Sequence, residues 1–272
     1  MIAGKWLRWL LNGFLKLFGD LKVFKWPMFI IYDPSSYQVK GADIRQVLKI
    51  AKPGDIFVRG YKNYLDGYFI PGYFSHAGLY LGEVLAAHEE LIVHPKGKAL
   101  FRTGEQIVVH AMAEGVFMED LLDFCRCDYM ALLRFPEQLS RQQNVQPTDI
   151  AADKFTPEEL KIAAALAQGE TLSFAEAFPA IFKVALNQIG KPYDFQFNFS
   201  NYNDLSCTEF VYFCTKSLAW YHGLHLAQKR FLLFAKKVLT PDALVKSNLR
   251  LAWQSRSVDN KKIEKFRHDR SA

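Results

Sequence analysis

The 272-residue chain has only four cysteines, Cys125, Cys127, Cys207 and Cys214. That is too few to build a disulfide framework in a chain of this size. Cys125 and Cys127 are two positions apart, which matches neither a zinc knuckle nor a redox pair. No second cluster completes a metal site, so a reduced compartment is the simpler setting. No apolar run approaches the ~20 residues needed to cross a bilayer as a helix. No small-residue cleavage site follows a clean apolar stretch, which disfavours a secretory signal. The sequence contains no internal repeat and no low-complexity tract. Half the residues are hydrophobic and 23% are charged, which excludes an intrinsically disordered chain.

Charge is distributed unevenly. The net charge is +6, but residues 1–26 carry +4 and residues 216–272 carry +9, which leaves −7 for the middle. Basic ends around an acidic body suit an anionic surface or serve as solubilising tails. A membrane fits better than nucleic acid, because the basic N-terminal segment is also strongly apolar. Lys5, Arg8, Asn12, Lys16 and Asp20 recur at three- and four-residue spacing, and Trp6, Trp9, Phe14 and Phe18 are among the apolar residues that fill the remainder. The spacing predicts an amphipathic helix over 1–26, either lying in a membrane interface or docked on its own domain. The expected location is cytoplasmic, with peripheral attachment to the inner face of a membrane.

Residues 42–51 are expected to form a short helix ended by Lys52-Pro53-Gly54. Strands are expected at 55–58, 77–81, 106–112 and 129–135. Residues 83–105 look like an insertion and 136–155 like a polar linker. Helices are expected to open at Thr156-Pro157, and over 176–189 and 204–218, with one or two more within 225–247. The expected division is an N-terminal helix at 1–26, a catalytic domain at 27–224 with insertions near 83–105 and 136–175, and a basic helical extension at 225–272.

Three side chains carry candidate chemistry. His76 starts a strand in Ser75-His76-Ala77-Gly78-Leu79-Tyr80-Leu81-Gly82. His110 lies in Val108-Val109-His110-Ala111. Cys207 opens a helix in Ser206-Cys207-Thr208-Glu209-Phe210-Val211. A thiol at a helix N-terminus meets unpaired N–H groups and the positive end of the dipole, and both favour the reactive thiolate. An imidazole beside it would lower its pKa further and act as base. The Cys207 backbone N–H is a natural oxyanion donor. Each residue alone has an ordinary structural explanation. Cys214, seven positions on in an apolar stretch, reads as a core residue.

These segments resemble the NlpC-type papain-like cysteine amidase and peptidase superfamily over roughly residues 52–135 and 180–218. Lys52-Pro53-Gly54-Asp55-Ile56-Phe57 is similar to its strand-opening motif, and Gly190-Lys191-Pro192-Tyr193-Asp194-Phe195 to the lead-in before the nucleophile. The cysteine follows the histidine strands here, which resembles the circularly permuted YiiX/YebB-like branch and, more remotely, lecithin:retinol acyltransferase-like enzymes. The resemblance implies an α+β fold, with an antiparallel sheet of about five strands and the Cys207 helix packed against it. It implies a cysteine hydrolase with Cys207 as nucleophile, His76 as general base and His110 as third member, and with Ser75, Tyr193 and Asp194 on the substrate side. Members of this branch often carry Glu at the position of His110, and His88 and His94 compete for that role. The implied substrate is a peptide amide or a lipid acyl group, with no metal or organic cofactor. A membrane-associated acyltransferase or thioesterase, and a catalytically silent lipid- or peptide-binding module, are the alternatives.

Overall fold

A computed structural model describes residues 21–25, 28–32, 37–62, 72–197, 199, 201–224, 226–231 and 234–268. The strands are β1 (Leu21–Lys25), β2 (Met28–Tyr32), β3 (Ile56–Gly60), β4 (His76–Val84), β5 (Gly104–Met112), β6 (Gly115–Asp120), β7 (Tyr129–Arg134), β8 (Gln138–Leu139), β9 (Leu172–Ser173), β10 (Ala227–Phe231), β11 (Phe234–Val238) and β12 (Arg250–Gln254). The α-helices are α1 (Gly41–Ile50), α2 (Gly97–Leu100), α3 (Leu121–Phe124), α4 (Pro157–Ala167), α5 (Phe174–Asn187), α6 (Cys207–Cys214), α7 (Ala219–His222), α8 (Pro241–Lys246) and α9 (Asn260–His268).

The centre is a six-stranded antiparallel sheet in the order β12-β7-β3-β4-β5-β6. The class is therefore α+β, with one strand more than the sequence suggested. Alternation along the strands divides the core in two. One face carries Ile56, Val58, Ala77, Leu79, Val109, Ala111 and Ala131 and packs against Phe210 and Val211 of α6. The other carries Phe57, Tyr80, Val108, Met130 and Leu132 and packs against Phe124, Cys125 and Cys127. Each fully buried large side chain contributes about 2 kcal/mol to this sandwich. Gly78 is required on the second face: a Cβ there would stand 2.8 Å from the ring of Phe124.

Several expectations change. Residues 21–25 form β1, paired with β2, so the expected N-terminal helix does not reach residue 26; residues 1–20 lie outside the described residues. The hairpin β10–β11 occupies much of the 225–247 segment where helices were expected, leaving the short α8. β12, from the expected C-terminal extension, is an edge strand of the central sheet. The 136–155 segment is not a free linker: β8 pairs with β9, and Leu139 and Ile150 are buried. Within 83–105 the chain finishes β4, makes a 3-10 turn at Ala86–Leu91 and forms α2. No helix among the described residues is long and apolar enough to cross a membrane.

The Gly-Asp motif at the start of β3 has a structural explanation. Asp55 accepts from Arg134 Nε at 2.7 Å and Nη2 at 2.6 Å, and from the Lys52 N–H at 2.7 Å. The fork pins β3 to β7 beside the strand that carries His76.

Candidate active site

Helix α6 starts at Cys207 because its first turn is closed by side chains. Ser206 Oγ accepts from the Glu209 N–H, and Glu209 Oε2 accepts from the Ser206 N–H at 2.7 Å. Such a capping box is worth about 1 kcal/mol. The helix crosses β4 and β5. At its first residue, the backbone N–H groups of Ala77 and Thr208 face the thiol of Cys207. The nucleophile candidate thus lies against the strand position that follows His76.

The lead into His76 is held by three hydrogen bonds from two residues. The N–H groups of Tyr73 and Phe74 each donate to Asp242 at 2.8 Å, and Tyr129 Oη donates to the Tyr73 carbonyl at 2.6 Å. Antiparallel register then places His76 opposite Arg59, and Gly78 opposite His110. Nε2 of His76 lies 2.9 Å from Nδ1 of His110. Nε2 of His110 lies 3.0 Å from Glu119 Oε2, a short but bent contact. Glu119 comes from β6, where it pairs with Val108 on the same face. The expected third member is therefore the residue that meets His76. Its rivals do other work: His88 Nδ1 accepts from the Leu85 N–H, and its ring stands edge-on to Phe182, while His94 packs beside Gly190.

Electrostatics set the direction of this chain. Burial works against the charge of Glu119, but the His110 hydrogen bond and the nearby Arg59 and Arg126 outweigh it and hold the carboxyl below its usual range. Burial is also the largest influence on both imidazoles. It depresses His76 well below the ordinary value, assisted by Arg59 and His110, and it depresses His110 despite Glu119. A carboxylate accepts only, so a neutral His110 presents Nε2–H to Glu119 and a bare Nδ1 to His76. His76 then donates from Nε2, and its Nδ1 carries the free lone pair. No hydrogen bond among the described residues engages that atom. The tautomer of His76 is therefore assigned by the chain of partners.

The thiol departs from expectation. Burial pushes Cys207 up to about 11, although the Ala77 and Thr208 N–H groups and Arg59 pull the other way. The helix end does not outweigh desolvation, so the resting group is a thiol and not a thiolate. No hydrogen bond among the described residues joins it to His76. α6 packs on the Ala77 face, whereas His76 and His110 share the face of Arg59 and Phe124.

Ser75 is buried beside His76, and its Oγ has no partner among the described residues. Tyr193 and Asp194 are less directly placed. Tyr193 stacks edge-on with Phe195 at 4.8 Å and stands 6.1 Å from Phe197, forming a half-exposed aromatic row. Asp194 is buried, accepts from the Gln196 N–H at 2.7 Å, and faces Glu209 on the first turn of α6. Burial and then Asp194 push Glu209 up to about 8. Asp194 therefore shapes the loop that leads into α6. Two site residues were missed from sequence, Glu119 and Arg59.

An open cavity of about 610 Å³ lies at the outer edge of β6, lined by Phe101, Arg102, Phe117, Glu119, Asp120 and Asp123 among others. It touches the far end of the chain, at Glu119. Among the described residues, no cluster of His, Cys, Asp and Glu has a metal-binding arrangement. Comparison with known proteins found no matching family model, curated protein or solved structure.

Proposed function

We propose that the protein is a cysteine hydrolase of the permuted papain-like type, acting on an amide or ester through an acyl-enzyme at Cys207. The observation that carries this reading is the ordered set Glu119–His110–His76, with the thiol of Cys207 at a helix N-terminus against the backbone of Ala77, the next residue of the same strand. Because the resting thiol is protonated, His76 Nδ1 removes its proton as sulfur attacks the carbonyl carbon. Nδ1 and the thiol do not touch in the structure, so the reaction requires α6 and His76 to close on each other when substrate binds, with Nε2 kept on His110. The carbonyl π electrons move to oxygen, where the Cys207 N–H donates. Collapse expels an amine or alkoxide, which takes the proton from His76 and leaves a thioester. Water, deprotonated by the same nitrogen, then attacks the thioester, and its collapse releases the acid and returns the proton to sulfur.

The half-exposed Tyr193–Phe195–Phe197 row favours an apolar acyl group, the lipid-directed version of the same chemistry. The buried, protonated Cys207 favours the third reading, a silent binding module. One experiment separates the three. The full chain is incubated with 4-nitroanilide and 4-nitrophenyl acyl substrates of increasing chain length, and acyl-Cys207 is sought by intact mass. Hydrolysis with a trapped thioester, lost in Cys207→Ala and His76→Ala, supports the enzyme. A rate rising with chain length supports the lipid reading. Unchanged turnover in Cys207→Ala, or no turnover of any substrate, sinks it in favour of the binding module.

A further inference from the structure

The reaction just described leaves one charged group of the site without a role, the guanidinium of Arg59. It sits on β3 opposite His76 and is 3% exposed. Nη1 donates to the Phe124 carbonyl at 2.6 Å, Nη2 reaches Met112 Sδ at 3.6 Å, and the cationic carbon lies 4.0 Å above the Phe124 ring. The near carboxylate is Glu119: its Oε2 is 3.7 Å from Nη1 and 3.0 Å from His110 Nε2. One oxygen thus serves both the cation and the relay. A buried charge costs several kcal/mol unless it is well paired, and a carbonyl and a ring face could be served by an uncharged donor. What the charge adds falls on Glu119 and on the two imidazoles.

We propose that Arg59 is a positioning residue: it anchors Glu119 Oε2 at the end of the relay and keeps His110 and His76 uncharged, so that the relay runs in one direction. The proposal rests on His76 as the base of the reaction above. If His110 gained a proton, both its nitrogens would donate, and His76 Nε2 could no longer donate to it. His76 would then be driven to the other tautomer, with its lone pair facing His110 and not the thiol side. The ionisable groups around Arg59 are Tyr61 at the end of β3, Cys125 and Cys127 after α3, Glu119 on β6, His76 and His110 in the sheet and Cys207 on α6. Arg126 adds a second cation near Glu119. Of these, Glu119 is the acid whose charge His110 and then the cation favour against burial.

The test is imidazole nitrogen NMR on the full chain as a function of pH, with and without Arg59. In the wild type, both rings should stay neutral as pH falls through the ordinary imidazole range, with His76 protonated at Nε2. Arg59→Met should let one ring titrate within the pH range 5–8 and mix the His76 tautomers. The acid limb of kcat/KM should rise by about one pH unit, a roughly tenfold loss at pH values well below the limb. Arg59→Lys should restore the neutral rings in part. If Arg59→Met does not fold, Glu119→Gln removes the other half of the anchor and should mix the tautomers in the same way. Wild-type ring titration in the variants, with only the melting temperature lowered, overturns the proposal and leaves Arg59 a structural pin for α3. The NMR result does not depend on turnover, so an inactive wild type would refute the hydrolase and still decide the role of Arg59.

Discussion

His76 Nε2 is 2.9 Å from His110 Nδ1, and this contact determines which nitrogen of His76 is free. Removing the acceptor should leave His76 in mixed tautomers. His110→Gln is expected to lower kcat by roughly 100-fold, and Glu119→Gln by roughly tenfold, with KM little changed. Steady-state kinetics on whichever substrate first yields turnover will check both, and wild-type kcat in His110→Gln would dismiss the relay.

The thiols should separate by their pH dependence. Cys207 is pushed up to about 11 and Cys214 higher still, each chiefly by burial. Native alkylation of Cys207 by iodoacetamide should therefore be negligible near pH 6 and climb on the alkaline side, with Cys214 silent until unfolding. His76→Ala should leave that curve nearly unchanged yet abolish acylation by substrate, because the base acts during attack. Peptide mapping of the labelled protein across pH reads both. Rapid labelling at pH 6 would restore a preformed thiolate.

Ser75 Oγ is a buried donor beside His76 that no group among the described residues uses. If the proposed reaction uses it, it serves as a second oxyanion donor in addition to the Cys207 N–H. Ser75→Ala should cost roughly 100-fold in kcat, while Ser75→Thr keeps most activity. Equal kcat in wild type and Ser75→Ala would return Ser75 to a purely structural position.

The site was legible in sequence where local chemistry determines it. In His-Ala-Gly-Leu-Tyr-Leu, Ala77, Leu79 and Leu81 alternate as the aliphatic face of a strand, and Ser206 with Glu209 closes the helix that presents Cys207. His110 was legible by its motif, and its Nδ1 lies 2.9 Å from His76 Nε2. Glu119 was missed because β6 was not recognised as a strand. The tight hairpin pairing Met112 with Gly115 sets it diagonal to His110, and Glu114-Gly115 was the available signal. Gly115 is held at φ 110°, and a Cβ there would strike the Lys191 carbonyl that accepts from the Val116 N–H. Arg59 was hidden because an arginine ending a strand ordinarily faces solvent. The β10–β11 hairpin was illegible for a different reason: a short apolar run between basic residues fits a helix equally well, and cross-strand pairing decides.

The Asp55–Arg134 fork holds β3 to β7, with Asp55 almost wholly buried and Arg134 partly so. Burial raises the Asp55 pKa against the stabilising effect of Arg134, so the pair matters more through its removal than its presence. Asp55→Ala is expected to cost roughly 3 kcal/mol in urea unfolding, since it strands the guanidinium and the Lys52 N–H. A loss below about 1 kcal/mol would mean that water replaces the carboxylate freely.

His222 supplies an acid limit to stability. Its Nε2 bonds the Thr215 carbonyl at 3.0 Å and its Nδ1 accepts from the Leu224 N–H at 3.0 Å, so the fold uses the neutral ring. Burial lowers its pKa from 6.5 to about 4, against the smaller opposing effect of the Thr215 bond. Above pH 6.5 the ring is neutral in both folded and unfolded chains and adds no pH dependence. As pH falls from 6.5 toward 4, the unfolded chain binds a proton that the folded chain refuses, so stability falls. The full loss is roughly 3 kcal/mol, complete below the folded value. Unfolding free energies measured at several pH values should show this slope in the wild type. In His222→Gln the part due to this ring should disappear, at the cost of a lower plateau near neutrality. An unchanged slope in the variant would assign the acid sensitivity to other groups.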